Sequence, residues 1–305
     1  MAAPPSPPEH GSLSPYLLLI IPPLCWAGNF VVGRAMHADI PPAALTFWRW
    51  AVAAIVLLPL AGLAAWRLRR ELLRHWRLLA VLAASGVLGF QYCVYRGLQT
   101  TTAINGVLII ATIPAVIPAI AYGLDGTRLR LRQAAGIALS MLGVGIVILQ
   151  GDLALLAARR LTPGDAWMAL AVPMWALYSV LVRRLPASVP PLVLLLATII
   201  IGLVLTAPLY GADIAAGRGF AVERPTLAAI TYVGVFASVI AFACWNRGVR
   251  AVGAAKAGLF IHLMPVFAAV LATLFLDERL QAFHFVGGAL IAAGLYLSST
   301  AGRAR

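Results

Sequence analysis

The sequence predicts an all-α integral membrane protein, with ten transmembrane helices forming two inverted five-helix repeats around a central cavity. Three observations predict it. Of the 305 residues, 62% are hydrophobic and 11% charged, against roughly 45–50% and about 25% in an average soluble chain. Charged residues divide the chain into about ten apolar stretches, each near the ~20 residues that a helix needs to cross a bilayer core. Landmarks of the first half also recur, in order, in the second. A soluble globule of this size could not hide so much apolar surface, which excludes a soluble enzyme as well as a disordered chain. Nothing alternates like the ~10-residue strands of an outer-membrane barrel.

The elements follow in chain order. Residues Met1–Ser14, with Pro4, Pro5, Pro7 and Pro8, read as a disordered cytoplasmic tail. A first repeat, residues 15–150, places spans near Pro15–Met36, Pro42–Leu63, Arg77–Arg96, Ala103–Leu124 and Arg132–Gln150. A second, residues 163–300, places them near Gly164–Arg184, Pro190–Tyr210, Pro225–Arg247, Lys256–Leu276 and Phe283–Ser299. The first span does not read as a cleaved signal, because no Lys or Arg precedes Arg34 and its apolar run exceeds the usual ~7–15 residues. Cys25, Cys93 and Cys244 all fall inside spans and form no CxxC pair, so neither disulfide nor metal is expected. No cofactor is expected either.

The net charge of +13 would suggest nucleic acid in a soluble protein. Here the Arg residues sit at span ends, where they set orientation, so the expected partner is the lipid bilayer and not nucleic acid. With the amino terminus in the cytoplasm, 15 of the 23 Lys and Arg fall on the inner side and 8 on the outer, which favours both termini inside.

With an offset of 149, Trp26-Ala27 falls on Trp175-Ala176, Arg34 on Arg183, Pro41-Pro42 on Pro190-Pro191 and Pro59 on Pro208. After a two-residue insertion, Arg96-Gly97 falls on Arg247-Gly248, Pro114 on Pro265, Gly136 on Gly287 and Gly143 on Gly294. Each copy holds five spans, an odd number, so the second must run through the membrane upside down. Loop charges agree. The Arg67–Arg77 loop has five Arg, whereas its counterpart, Tyr210–Arg224, has two offset by Asp213 and Glu223. Arg128, Arg130 and Arg132 correspond to the Asp277–Arg279 loop, and the lone Arg96 to Arg247, Arg250 and Lys256. Two similar halves of opposite orientation can exchange conformations, opening a midplane site first to one side and then to the other.

Pro114 and Pro265 occupy matching mid-span positions and are read as hinges, since each removes a backbone N–H and frees the carbonyl of Ile110 or Ile261. Gly136 and Gly143, with Gly287 and Gly294, put two gaps on one face of the fifth and tenth spans, which reads as helix packing and leaves the other eight spans to line a path. Candidate substrate-binding residues are Trp26, Asn29, Gln91, Tyr95, Trp175, Tyr178 and His262. Asn29 lies three residues beyond Trp26, and Tyr178 three beyond Trp175, so each pair shares a helix face. Amides beside rings suit a zwitterion with an apolar body. His262 reads equally as a substrate or proton ligand and as a neutral histidine bonded between helices. Arg49, between Trp48 and Trp50, reads as reaching toward the outer headgroups, with a functional intramembrane charge as the other reading. No Asp or Glu lies deep in a span, which disfavours an antiporter of cationic drugs. The chain has no GxxxxGK[ST], HExxH or GxSxG motif, which speaks against an ATP-driven pump, a metalloprotease or a serine hydrolase.

The stretches Leu263–Phe267, Ala272–Leu280 and Gly287–Gly294 resemble the second repeat of EamA-type proteins of the drug/metabolite transporter superfamily, and Trp26–Phe30 followed by Arg34 resembles their opening helix. Within the family the chain looks most like bacterial YddG-like exporters of aromatic and other neutral amino acids. Asp277 departs from the pattern, standing where many relatives have Gly before Glu-Arg. The resemblance implies helices one to four and six to nine around the cavity, with five and ten to one side. It also implies a bacterial inner-membrane exporter of amino acids working by alternating access, not an enzyme, with a monomer as the working expectation. Export of another metabolite or a drug is the rival within this class. A membrane enzyme acting on a lipid-borne substrate is remote, because no catalytic cluster gathers at one interface, and a purely structural scaffold would contain no solvent-reachable cavity.

Overall fold

A computed structural model of the chain describes residues 14–149, 151–152, 162–275 and 281–300. Among these residues every regular element is helical and no strand occurs. The apolar helices are α1 (Pro15–Ala35), α2 (Pro42–Arg67), α3 (Trp76–Gly97), α4 (Ala103–Asp125), α5 (Leu131–Ile148), α6 (Pro163–Arg184), α7 (Pro191–Ala215), α8 (Arg224–Val252), α9 (Ala254 to Phe275) and α10 (Ala282–Thr300). Seven of them are long and apolar enough to cross a bilayer, while Leu131–Val147 of α5, Ala254–Ala268 of α9 and Ala282–Ser298 of α10 are shorter apolar stretches. Large apolar side chains such as Ile55, Leu60, Leu63 and Val204 lie about two-thirds exposed on the outer faces. A surface of that kind is stable against lipid and not against water. The expected disordered tail, apart from Ser14, lies outside the described residues, as do Gln150 and the Asp277–Arg279 segment.

Prolines set the helix starts. Pro42 and Pro191 take the first positions of α2 and α7, where the missing N–H costs nothing and the fixed φ suits the first turn. Helix α6 starts on a capping box in which Asp165 Oδ2 accepts from the Thr162 amide at 2.7 Å and from its hydroxyl at 3.1 Å. Two helices outrun their expected ends. Helix α2 continues through Ala64, Ala65 and Trp66 to Arg67, since nothing there breaks it. Helix α8 runs on to Val252 and stops at Gly253, whose φ of 92° suits glycine alone.

Four interruptions fall in pairs 151 residues apart. A π-helical turn occupies Ala83–Gly89 in α3 and another Val235–Ile240 in α8. Helix α4 breaks after Ile110, just before Pro114, and α9 tightens into a 3-10 turn over Leu259–His262, just before Pro265. The expected helix breaks at both prolines are present.

The two halves pack through equivalent contacts. Helix α2 packs on α7, α5 on α10, α1 on α9, and α6 on α4. Helices α5 and α10 meet through the glycines that the sequence marks as packing gaps. A Cβ on Gly136 would stand 2.7 Å from the Gly294 carbonyl oxygen, and one on Gly143 2.6 Å from that of Gly287. These contacts run in opposite chain directions, so the two helices are antiparallel. Helix ends gather in two groups. At one end, Arg34 donates to the Leu98 carbonyl at 2.8 Å, and Thr101 Oγ1 to Asp165 Oδ1 at 2.5 Å. At the other, Arg184 pairs with Asp125, and Arg250 donates to the carbonyls of Pro186 and Val189 at 2.8 Å.

Candidate functional site

Helices α1, α2, α3 and α8 converge on a buried polar group centred on Arg49, which is 0% exposed. The expectation that Arg49 reaches the outer headgroups is corrected: its guanidinium turns inward. Nε donates to Ser238 Oγ at 2.9 Å, and Nη2 to the Ala237 carbonyl at 3.2 Å. Nη1 faces the Gln91 amide oxygen at 2.5 Å, the Tyr95 hydroxyl at 2.6 Å and Asn29 Oδ1 at 3.3 Å. The Trp50 ring centre lies 5.0 Å from the guanidinium carbon, within cation–π range. Every acceptor is neutral, and no carboxylate among the described residues pairs with Arg49. An arginine at the centre of a membrane helix costs ~2.5–3.5 kcal/mol by insertion scales. Hydrogen bonds from a charged donor contribute ~1.5–3 kcal/mol each, enough to hold it there.

The π-helical turns create part of this network. Shifting to i→i+5 bonding releases carbonyls that an α-helix would use internally. The freed Ala237 oxygen accepts from both Arg49 and Trp26 Nε1, the latter at 3.1 Å. Ser238 Oγ donates to the Val233 carbonyl, five residues back, at 2.7 Å while accepting from Arg49. In the matching turn of α3, the Val87 carbonyl accepts from Trp50 Nε1 at 2.8 Å.

Beside the polar group lies an aromatic one. The Trp175 ring stands 4.8 Å from Phe90, 5.0 Å from Trp26, 5.1 Å from Phe242, 5.2 Å from Tyr178 and 5.5 Å from Trp245. Trp175 Nε1, Trp245 Nε1 and Asn246 Nδ2 are buried without a hydrogen-bond partner. Between the two groups runs a cleft lined by Trp26, Asn29, Gln91 and Trp175 together with apolar residues, among them Phe30, Ile113 and Met264. Its free volume of ≈ 10 Å³ is about that of one water-sized probe. The site is therefore shut in this conformation.

Four of the seven sequence-derived binding residues, Trp26, Asn29, Gln91 and Trp175, meet on the cleft. Tyr95 stands behind it, donating to Asn29 Oδ1 at 2.7 Å and accepting from Arg49. Tyr178 stacks on Trp175 and donates to Asn246 Oδ1 at 2.8 Å. His262 is fully buried, but Nε2 lies 2.8 Å from the Ala111 carbonyl oxygen. A carbonyl only accepts, so Nε2 carries the proton, and the geometry is that of a histidine bonded between helices. Pro114 and Pro265 are both buried directly behind the breaks they cause.

The sequence reading passed over Asn246 and Phe242. Asn246 carried a signal, being the counterpart of Tyr95 at the 151 offset, as Tyr178 is of Asn29 at 149. The same Tyr–Asn bond thus forms in both halves with donor and acceptor helices exchanged. Phe242, counterpart of Gln91, carried none.

Helices of membrane-crossing length around a small internal cleft define a multi-pass membrane protein. The chain belongs to the EamA-like transporter family, whose profile matches residues 13–149 and again 162–300, and so to the drug/metabolite transporter superfamily. Over 93% of its length it is 29% identical to an uncharacterized transporter of Archaeoglobus fulgidus, covering 96% of that protein. It is 28% identical to a probable terminal-alkyne amino-acid exporter of Streptantibioticus cattleyicolor, covering 94% of each chain. A solved crystal structure with 22% identity superposes with a TM-score of 0.76 over 95% of this chain and 97% of the other, and so shares its fold.

Proposed function

We propose that this protein exports aromatic and other neutral amino acids across a bacterial inner membrane by alternating access, with both termini in the cytoplasm. The observation that carries this reading is the shut, amphiphilic cleft at the junction of the two halves, where Asn29 and Gln91 face Trp26 and Trp175. A small zwitterion with an apolar side chain has matching chemistry. The relative named as a probable amino-acid exporter supports the substrate class.

In this reading all ten apolar helices cross the membrane, and the second copy is inverted. The end contacts support inversion. The start of α6 lies beside the α3–α4 turn through Asp165 and Thr101, and the end of α1 lies beside the same turn through Arg34 and Leu98. Equivalent helices α1 and α6 thus run in opposite directions. The breaks before Pro114 and Pro265 serve as hinges, because a helix already missing bonds bends there at low cost.

The test is efflux from proteoliposomes loaded with tryptophan, threonine or a cationic dye. Both amino acids should leave faster than from protein-free vesicles, and the dye should not. Dye efflux without amino-acid efflux would replace this reading with drug export.

A further inference from the structure

The two halves contribute unlike chemistry around the cleft. Matching positions carry Arg49 and Thr198, Gln91 and Phe242, and Ser238 and Val87. Thr198 is spent on its own helix, donating to the Leu194 and Leu195 carbonyls at 3.1 and 2.9 Å. Among the described residues, only the first half therefore brings a charge to this group.

We propose that the transported molecule is recognised as an organic carboxylate laid across the cleft, its carboxylate on Arg49 and its apolar body against Trp26 and Trp175, and that an ammonium group is dispensable. The inference deepens the export reading and rests on it for the cleft and the direction of transport. Three observations carry it. First, Arg49 has no counterion among the described residues, and its acceptors are replaceable. Nη1 has two protons for three oxygens, and the most distant of them, Asn29 Oδ1 at 3.3 Å, is already served by Tyr95. An entering carboxylate can take an Nη1 proton without leaving any donor unmet, and a charged acceptor forms the stronger bond.

Second, the polar wall of the cleft is made of Asn29 and Gln91, the two amides that touch Nη1. A carboxylate entering between them arrives at the guanidinium. Third, among the described residues nothing anionic lines the cleft, so an ammonium would find no charged partner, only ring faces and amide oxygens already engaged by Arg49. Charge balance points the same way. A monoanion neutralises Arg49 for the crossing, a zwitterion leaves the site's charge unchanged, and an amine adds a second positive charge to a low-dielectric site.

The experiment measures tryptophan efflux from proteoliposomes with internal competitors of one shape: indole-3-propionate, which keeps the carboxylate and lacks the ammonium, and tryptamine, which does the reverse. Wild-type protein should be inhibited by indole-3-propionate at about the concentration at which unlabelled tryptophan inhibits, and by tryptamine at concentrations at least about tenfold higher, the effect of one charge-assisted contact. Arg49→Gln should lose that preference and slow efflux about tenfold or more, while Arg49→Lys should retain the preference in part. Equal inhibition by both competitors in the wild type, which needs no variant to fold, would overturn the proposal. So would an unchanged preference in folded Arg49→Gln.

If tryptophan does not move but indole-3-propionate does, dependent on Arg49, the amino-acid reading fails and the carboxylate site stands. If neither moves, thermal stabilisation of the detergent-solubilised protein decides. Stabilisation by indole-3-propionate and not tryptamine supports the site, and its absence overturns it.

Discussion

His262 donates from Nε2 to the carbonyl oxygen of Ala111, 2.8 Å away, and Ala111 is the residue matching His262 in the other half of the chain. The bond ties the interruption of α9 to that of α4. It exists because Pro114 distorts the helix after Ala111. The Ala115 amide then turns to the Thr112 carbonyl at 3.0 Å, freeing that of Ala111. His262→Ala should leave this buried carbonyl unmet and lower stability by ~1–3 kcal/mol. His262→Gln retains a donor and should recover much of the loss. Thermal unfolding in detergent measures both, and equal losses would show that the ring's bulk matters and its bond does not.

Pro265→Ala should restore a helical bond beside that tie and stiffen the break. We expect transport per folded molecule to fall more than folded yield, read as efflux rate against size-exclusion recovery. Equal losses in the two would assign the proline to packing alone. Pro114→Ala should behave in the same way, because it stands behind the equivalent break.

The glycine seam between α5 and α10 separates structure from transport. A Cβ on Gly143 would meet the Gly287 backbone at 2.6 Å, whereas one on Gly145 would meet nothing within 4 Å. Gly143→Ala should therefore destabilise the fold by ~1–3 kcal/mol through overpacking. Gly145→Ala should be neutral or slightly stabilising, alanine being the better helix former. Neither helix lines the cleft, so efflux per folded molecule should be unchanged in both. Reduced flux in folded Gly143→Ala would show that the seam moves during transport.

Inversion makes a topological prediction. Reporter fusions after Arg70 and after Arg250 should both report the cytoplasm, and one after Arg218 the opposite side. Opposite reports for Arg70 and Arg250 would dismantle the inverted arrangement and, with it, the proposed mechanism of access.

Much of the architecture was legible along the chain because its determinants are local. Apolar stretches of membrane-crossing length, prolines at helix starts and breaks, and glycines two turns apart act through backbone geometry and transfer free energy, and these survive projection onto one dimension. The pairing of Gly136 with Gly294 and of Gly143 with Gly287, crossed between the halves, already needed three dimensions, although the residues themselves had been singled out. The candidate site was half legible. Trp26, Asn29, Gln91 and Trp175 could be picked out as polar or aromatic groups in an apolar setting. Phe242 could not, since an aromatic in a membrane helix is ordinary until a neighbour gives it a role.

Arg49 marks the boundary. The sequence by itself determined that one guanidinium would lie within a membrane span without an acid nearby. Whether its long side chain would climb to the headgroups or turn inward depended on acceptors from three other helices: Asn29 on α1, Gln91 and Tyr95 on α3, and the Ala237 carbonyl that a π-turn exposes on α8. Those groups lie 20 to 188 residues away in the chain. Only packing brings them within 3.3 Å. Hydrogen bonds act at that range and composition does not, so the tertiary structure alone decided where the charge points.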